Sequence, residues 1–194
     1  MDGYRGAVYK GFATEDEALG FLGGMADDSR KDDKARDGRE DKKKQTEQQT
    51  GGMPELREGE AAAYVDGSYN VKTGLYACGV VFFCGGKEEH YNEKGEDAEL
   101  ASMRNVAGEI LGAQRAMEMA VQKGVERLVI YHDYQGIASW CLGEWKTNRE
   151  GTRAYKEYYD SLKGKLQINF CKVKGHSGNT WNDLADELAK ELIF

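Results

Sequence analysis

Proline is almost missing from this chain: Pro54 is the only one among 194 residues. Cysteine is sparse as well. Cys78, Cys84, Cys141 and Cys171 are scattered, with no CxxC pair. That pattern excludes a zinc cluster or a disulfide framework and leaves small buried thiols in a reducing compartment. No apolar run approaches the ~18 residues that would cross a bilayer, and no secretory signal is visible at the N-terminus. A cytoplasmic protein without a membrane partner is expected. A basic excess is lacking too, since 27 Lys and Arg stand against 34 Asp and Glu, for a net charge of −7. Proteins that hold nucleic acid by bulk positive charge have a domain pI above about 9, so that class is disfavoured. An enzyme that meets phosphates through bound metal ions is not.

What is present divides into three zones. In residues 1–24, GAVYKGF reads as a strand and TEDEALGFL as an amphipathic helix, with Thr14 and Glu17 at capping-box spacing. Two dozen residues bury too little surface to fold alone. Residues 25–60 read as a disordered or partly helical linker. Between Ala26 and Thr50 the apolar side chains are only Ala26 and Ala35, against eight acidic and eight basic residues. Nothing there offsets the entropy of ordering. Gly51, Gly52 and Pro54 close the stretch.

From Ala61 to Phe194 the pattern is globular. AAAYVDGSY reads as a strand ending in a turn at Asp66–Gly67, and LYACGVVFFC and KEEHYNE as two strands joined at Gly85–Gly86. Val106, Ile110, Ala113, Met117 and Val121 recur at helical spacing. RLVIYH is a short apolar run of the kind buried on both faces of a sheet, ending in Asp133. Segments 134–142 and 151–163 read as helices, LQINFCKV as a fifth strand, and Trp181, Leu184, Leu188 and Leu192 as the stripe of a last helix. The order βββαβαβα predicts an α/β fold. Its sheet is mixed and five-stranded, with three antiparallel strands followed by parallel strands flanked by helices.

Four carboxylates fall where the active sites of such sheets collect, at strand ends and on the adjoining helices. Asp66 and Asp133 end strands that would pair in parallel. Glu109 lies early in the first long helix, one position off its buried stripe. Asp186 lies beside the stripe of the last helix, with Asn182 at i−4 on the same face. Each has a plain structural use as well: Asp66 before Gly67 is a turn former, and Asp133 can start a helix. Together on one edge, without matching lysines, they would repel unless cations sat between them. Two Mg²⁺ ions held this way stabilise both the attacking and the leaving oxygen of a phosphoryl displacement. His176, in the loop KGHSGNTWND, is placed to move a proton at neutral pH or simply to anchor the loop. His90 and His132 read as structural. Thr180 and Asp183 have capping-box spacing, which makes Asp183 a helix cap.

YVDGS, RNVAGEI, IYHD and GHSGNTWNDLADELA resemble, in order, the motifs of type 1 ribonuclease H, and together they span residues 61–194. The resemblance implies metal-dependent cleavage of the RNA strand of an RNA–DNA hybrid, leaving 5′-phosphate ends. Mg²⁺ would be the cofactor, two ions per site, with Mn²⁺ able to substitute. It implies metal ligation by Asp66, Glu109, Asp133 and Asp186, with His176 assisting. Ser68, Asn105, Trp145, Lys146 and Asn182 would contact substrate, while Trp140, at helical spacing, belongs to the core. The sequence departs from the pattern at Tyr134, where many relatives carry serine. The separation of 43 positions from Asp133 to His176 is also shorter than in members with a basic protrusion. GYRGAVYKGFATEDEALGFL is similar to the second half of the hybrid-binding, viroplasmin-like module that precedes some of these nucleases, in which Tyr9 and Lys10 would touch the nucleic-acid backbone. A monomer without an obligate protein partner is expected. The rival readings are another nuclease of the same fold acting on DNA, and a non-catalytic hybrid-binding protein.

Overall fold

The computed structural model describes residues 53–175 and 178–194. The strand and helix expected in residues 1–24, with Tyr9 and Lys10, most of the linker, and His176 lie outside the described residues. Strands β1 (Glu60–Tyr69), β2 (Tyr76–Cys84) and β3 (Lys87–Gly95) form an antiparallel meander. The β2–β3 turn falls on Gly85 and Gly86, both at positive φ (58° and 72°), which a two-residue hairpin turn requires. β4 (Arg127–His132) and β5 (Gln167–Lys172) then add in parallel, giving one five-stranded sheet of order β3-β2-β1-β4-β5. This is the mixed sheet that the sequence pattern predicts.

Among the described residues five helices accompany the sheet: α1 (Ala98–Ala101), α2 (Asn105–Gln122), α3 (Gly136–Leu142), α4 (Glu150–Ser161) and α5 (Thr180–Glu191). The alternation of β1 assigns them to two faces. Ala61, Ala63 and Val65 point into a core built with Ile110, Ala113 and Met117 of α2, Ile137 and Trp140 of α3, and Tyr155 of α4. Ala62 and Tyr64 point the other way, into a second core with Val81, Phe83, Tyr131 and Ala185 of α5. Trp140 is a core residue, as its spacing implied.

Several expectations are corrected. β1 does not turn at Asp66–Gly67 but continues to Tyr69, paired with β2 at Asp66↔Gly79 and Gly67↔Cys78. The glycine serves close packing against α2 rather than a turn. Val121 is exposed, whereas Glu109 is buried within the helix face that covers the sheet. Gly108 and Gly112 explain this. A Cβ on Gly108 would stand 2.2 Å from the Ala77 carbonyl oxygen, so α2 lies almost on the strands and a wider arc of it is buried. Asp183 does not cap α5; Asn179 does, accepting from the amides of Trp181 and Asn182, both at 3.2 Å. The single turn α1, capped by Asp97, is too short to show a period in sequence. The folded body also reaches back into the stretch expected to be linker, because Leu56 packs on the second core and β1 starts at Glu60.

Candidate active site

The parallel ladder between β1 and β4 ends at the pair Tyr64↔Tyr131. Asp66 and Asp133 each lie two residues beyond that rung, so the strands deliver them side by side. α2 adds Glu109 from the adjoining layer. One carboxylate oxygen from each of Asp66, Glu109 and Asp133 lies within 4.8 Å of the others. Asp66 and Glu109 are buried, and Asp133 is half-buried.

Asp66 is held by two hydrogen bonds. The Gly67 amide donates to Asp66 Oδ1 at 2.7 Å, and Asn182 Nδ2 reaches Asp66 Oδ2 at 3.4 Å. The Tyr134 backbone lies toward Glu109 and works against the upward shift of its pKa. His132 Nδ1 donates to the Tyr134 carbonyl oxygen at 2.9 Å and so ties the chain on either side of Asp133. This imidazole is buried, and burial pushes its pKa down. Gly175 crosses close to Asp133; a Cβ there would stand 2.4 Å from Asp133 Oδ2.

Burial and mutual repulsion dominate the electrostatics. Burial raises Glu109 to about 9, and the charges of Asp133 and Asp66 add to the shift. Asp66 rises to about 7, again first by burial, then by Asp133 and Asp186. Three hard oxygen donors at this spacing suit a divalent cation. Glu109 Oε2 supplies the structural test of that fit: it is buried and has no hydrogen-bond partner among the described residues. A buried carboxylate oxygen left unpaired is costly, and a bound cation would satisfy it.

Asp186 stands outside the three-carboxylate group. Its charge acts on Asp66, but its Oδ2 is paired with Lys190 Nζ one turn along α5 at 2.5 Å. Asn182 is buried against Asp66, and its Oδ1 has no partner among the described residues. Asn105 is exposed at the start of α2, and Ser68 is buried on β1 two residues past Asp66. Trp145 is 42% exposed and meets Tyr134 and Trp140 edge to face, at ring-centroid distances of 6.2 and 6.0 Å. Lys146 lines a groove of about 410 Å³ with Val106, Tyr134, Asn148 and Arg149. Sequence reasoning missed Asn148 and Arg149 as groove residues and noted Tyr134 only as a departure. The run Lys146-Thr-Asn-Arg149, following an exposed tryptophan, was the available signal.

The family model described as RNase H matches residues 58–194. The chain belongs to the ribonuclease H family. Ribonuclease H of Francisella philomiragia subsp. philomiragia is 31% identical over 143 residues, covering 68% of this chain and 89% of its own length. The Ribonuclease H of Francisella tularensis subsp. novicida has the same identity and coverage. Among solved structures, RNase H1 from the halophilic archaeon Halobacterium salinarum superposes with a TM-score of 0.57 at 24% identity, covering 68% of this chain and 96% of its own. LC11-RNase H1, solved in complex with an RNA/DNA hybrid, gives a TM-score of 0.54 at 16% identity, covering 69% and 99%. The likeness to these structures shows the shared fold. The ribonuclease H family implies dependence on a divalent metal, and the three-carboxylate cluster could hold one. Among the described residues no helix is long and apolar enough to cross a membrane.

Proposed function

We propose that the chain hydrolyses the RNA strand of RNA–DNA hybrids as an endonuclease, leaving 5′-phosphate ends, with two Mg²⁺ ions as cofactor and Mn²⁺ able to replace them. The observation that carries this reading is the unpaired, buried Glu109 Oε2 inside the three-carboxylate cluster, beside a groove lined by Lys146 and Arg149. Asp66, Glu109, Asp133 and Asp186 would hold the metal. When bound, it supplies an acidified water and positive charge for an in-line displacement at phosphorus.

The chain's own residues do the rest. Lys146 and Arg149 bind backbone phosphates along the groove, with Asn105 at its margin. Trp145, braced by Tyr134 and Trp140, packs against a sugar or base of the uncleaved strand. Asn182 orients Asp66 through its side-chain amide. His176 carries a proton toward the departing 3′-oxygen or assists product release. A 2′-hydroxyl on one strand and its absence on the other distinguish a hybrid from either homoduplex. A net charge of −7 fits modest affinity built from local contacts. Residues 1–24 are assigned to a partial hybrid-binding module, residues 25–60 to a linker and residues 61–194 to the catalytic domain, acting as a monomer in the cytoplasm.

The test is incubation of the full chain with matched hybrid, double-stranded RNA and double-stranded DNA, each with Mg²⁺ or with a chelator. Cleavage confined to the RNA of the hybrid, and only with Mg²⁺, is expected. Cleavage of double-stranded DNA would favour a DNA-processing nuclease of the same fold. Metal-independent binding without cleavage would favour the non-catalytic reading.

A further inference from the structure

β5 is an edge strand of the sheet, and between it and α3 opens a cleft of about 330 Å³. Leu142, Ile168 and Phe170 give it apolar walls, and His132, Glu144 and Lys172 are the titratable groups of its lining. A cavity of this size with a few convergent polar groups is what small ligands occupy. One nitrogen of His132 has a structural use, since Nδ1 donates to the Tyr134 carbonyl oxygen at 2.9 Å. The other has none. His132 is 1% exposed, and its Nε2 is buried without a hydrogen-bond partner among the described residues. Nδ1 carries the proton and burial opposes a second one, so Nε2 is a bare acceptor. Glu144 is already engaged: Ser139 Oγ donates to its Oε2 at 2.7 Å and accepts from Gln135 Nε2 at 3.1 Å. Lys172 is exposed and pairs with His132 across the β4–β5 ladder. The cleft therefore carries an acceptor and a donor on neighbouring strands, whose backbones run about 4.8 Å apart. Beside them lies Phe170, which meets the His132 ring edge to face at 6.0 Å. A flat ring with an N–H next to an acceptor matches that order, and nucleobases have such an edge.

We infer that the cleft between α3 and β5 binds a single nucleobase, which donates an N–H to His132 Nε2, accepts from Lys172 Nζ and packs its ring against Phe170 and Leu142. The base satisfies the one ring nitrogen that the fold leaves unpaired, and a buried acceptor without a donor is costly. A cleft of about 330 Å³ has room for one base and not for a stacked run of them. The site is separate from the carboxylate cluster and does not depend on metal.

Uridine and 3-methyluridine provide the test, because the uracil ring has a single N–H and methylation removes it with little change of shape. The full chain, with isotope-labelled histidine and in chelator, is titrated with each and followed by nuclear magnetic resonance. Uridine should bind with a Kd of roughly 1 mM, as suits so small a ligand, and should shift the His132 Nε2 resonance. The methylated probe should bind about tenfold more weakly and leave that resonance in place. Lys172→Met should weaken uridine about fivefold. His132→Phe, which keeps a flat ring and loses the acceptor, should bind the two probes equally. Should that variant fail to fold, the wild-type resonance and Lys172→Met still decide. Equal binding of both probes to wild type, uridine binding that leaves Nε2 unmoved, or no uridine binding at about 10 mM would overturn the inference. A short oligouridylate separates the sources of the base. Binding tighter than uridine assigns the cleft to the end of a single-stranded RNA, and binding no tighter assigns it to a free nucleoside. No arm reads hybrid cleavage, so failure of the functional reading and failure of this one remain distinct.

Discussion

Gly67 lies directly against Glu109: a Cβ at position 67 would stand 2.3 Å from the Glu109 amide nitrogen and 2.3 Å from the Asn105 carbonyl oxygen. The strand that carries Asp66 and the helix that carries Glu109 are therefore in backbone contact one residue past Asp66 and at Glu109 itself. Gly67→Ala must push α2 off the sheet. It should cost about 1–3 kcal/mol, typical of overpacking, and lower cleavage far more than an equally destabilising change remote from the site. Chemical denaturation and rate measured on the same samples would separate the two effects. Wild-type rates in a destabilised Gly67→Ala protein would show that the contact does not align the carboxylates.

The metal-free protein should be pH-sensitive in a defined direction. Folding raises Asp66 from 3.8 to about 7 and Glu109 from 4.5 to about 9. The folded state thus holds protons that the unfolded chain has released. Stability from this source is complete below the unfolded values and is lost as pH rises through about 7 and then about 9. In chelator the melting temperature should fall over that range. Asp66→Asn and Glu109→Gln should each raise it by roughly 5 °C at about pH 8 while abolishing cleavage. Thermal melts in chelator check this, and a Glu109→Gln protein that melts below wild type would contradict it.

Asp183 and Asp186 should separate cleanly. Asn179 caps α5, so Asp183→Ala forfeits only a favourable charge in the first turn, worth about 0.5 kcal/mol, and should cleave nearly as fast as wild type. Asp186→Asn should lose most activity. Lys190→Met, which frees the Asp186 carboxylate from its ion pair, should strengthen Mn²⁺ binding. Calorimetry and steady-state rates on the three variants decide, and a larger activity loss in Asp183→Ala would reverse the assignment.

Tyr134, Trp140 and Trp145 brace one another, with Tyr134 and Trp140 at 5.8 Å. Only Trp145 presents a largely open ring. Trp145→Ala should raise KM for hybrid by about tenfold with little change in kcat, consistent with loss of one stacking contact. Tyr134→Ser, which leaves Trp145 in place but unsupported, should give a smaller rise of the same kind. A fall in kcat with unchanged KM would place the aromatic group elsewhere in the cycle.

Much of this was legible in the chain itself because it depends on short-range chemistry. The alternation in AAAYV, the glycine pair at 85–86 and the apolar run RLVIYH specify strands and their partners through local geometry, and four motifs in order carried the family. The carboxylates of the site were recognisable as residues for the same reason. Their arrangement was not. Asp66 and Asp133 are neighbours only because the β1–β4 ladder stops at Tyr64↔Tyr131. Glu109 is buried only because Gly67, Gly108 and Gly112 let α2 settle onto the strands. The cap of α5 fell to Asn179 rather than to a residue inside the helix, because the capping side chain must precede the first turn to accept its free amides. The strand and helix contacts among these join residues more than thirty positions apart, and no periodicity along the chain encodes them. Sequence determined the fold class and the chemical identity of the site, while close backbone packing of α2 on β1 and of α5 on β2 decided which carboxylates converge, how deeply they are buried and how far their protons are held.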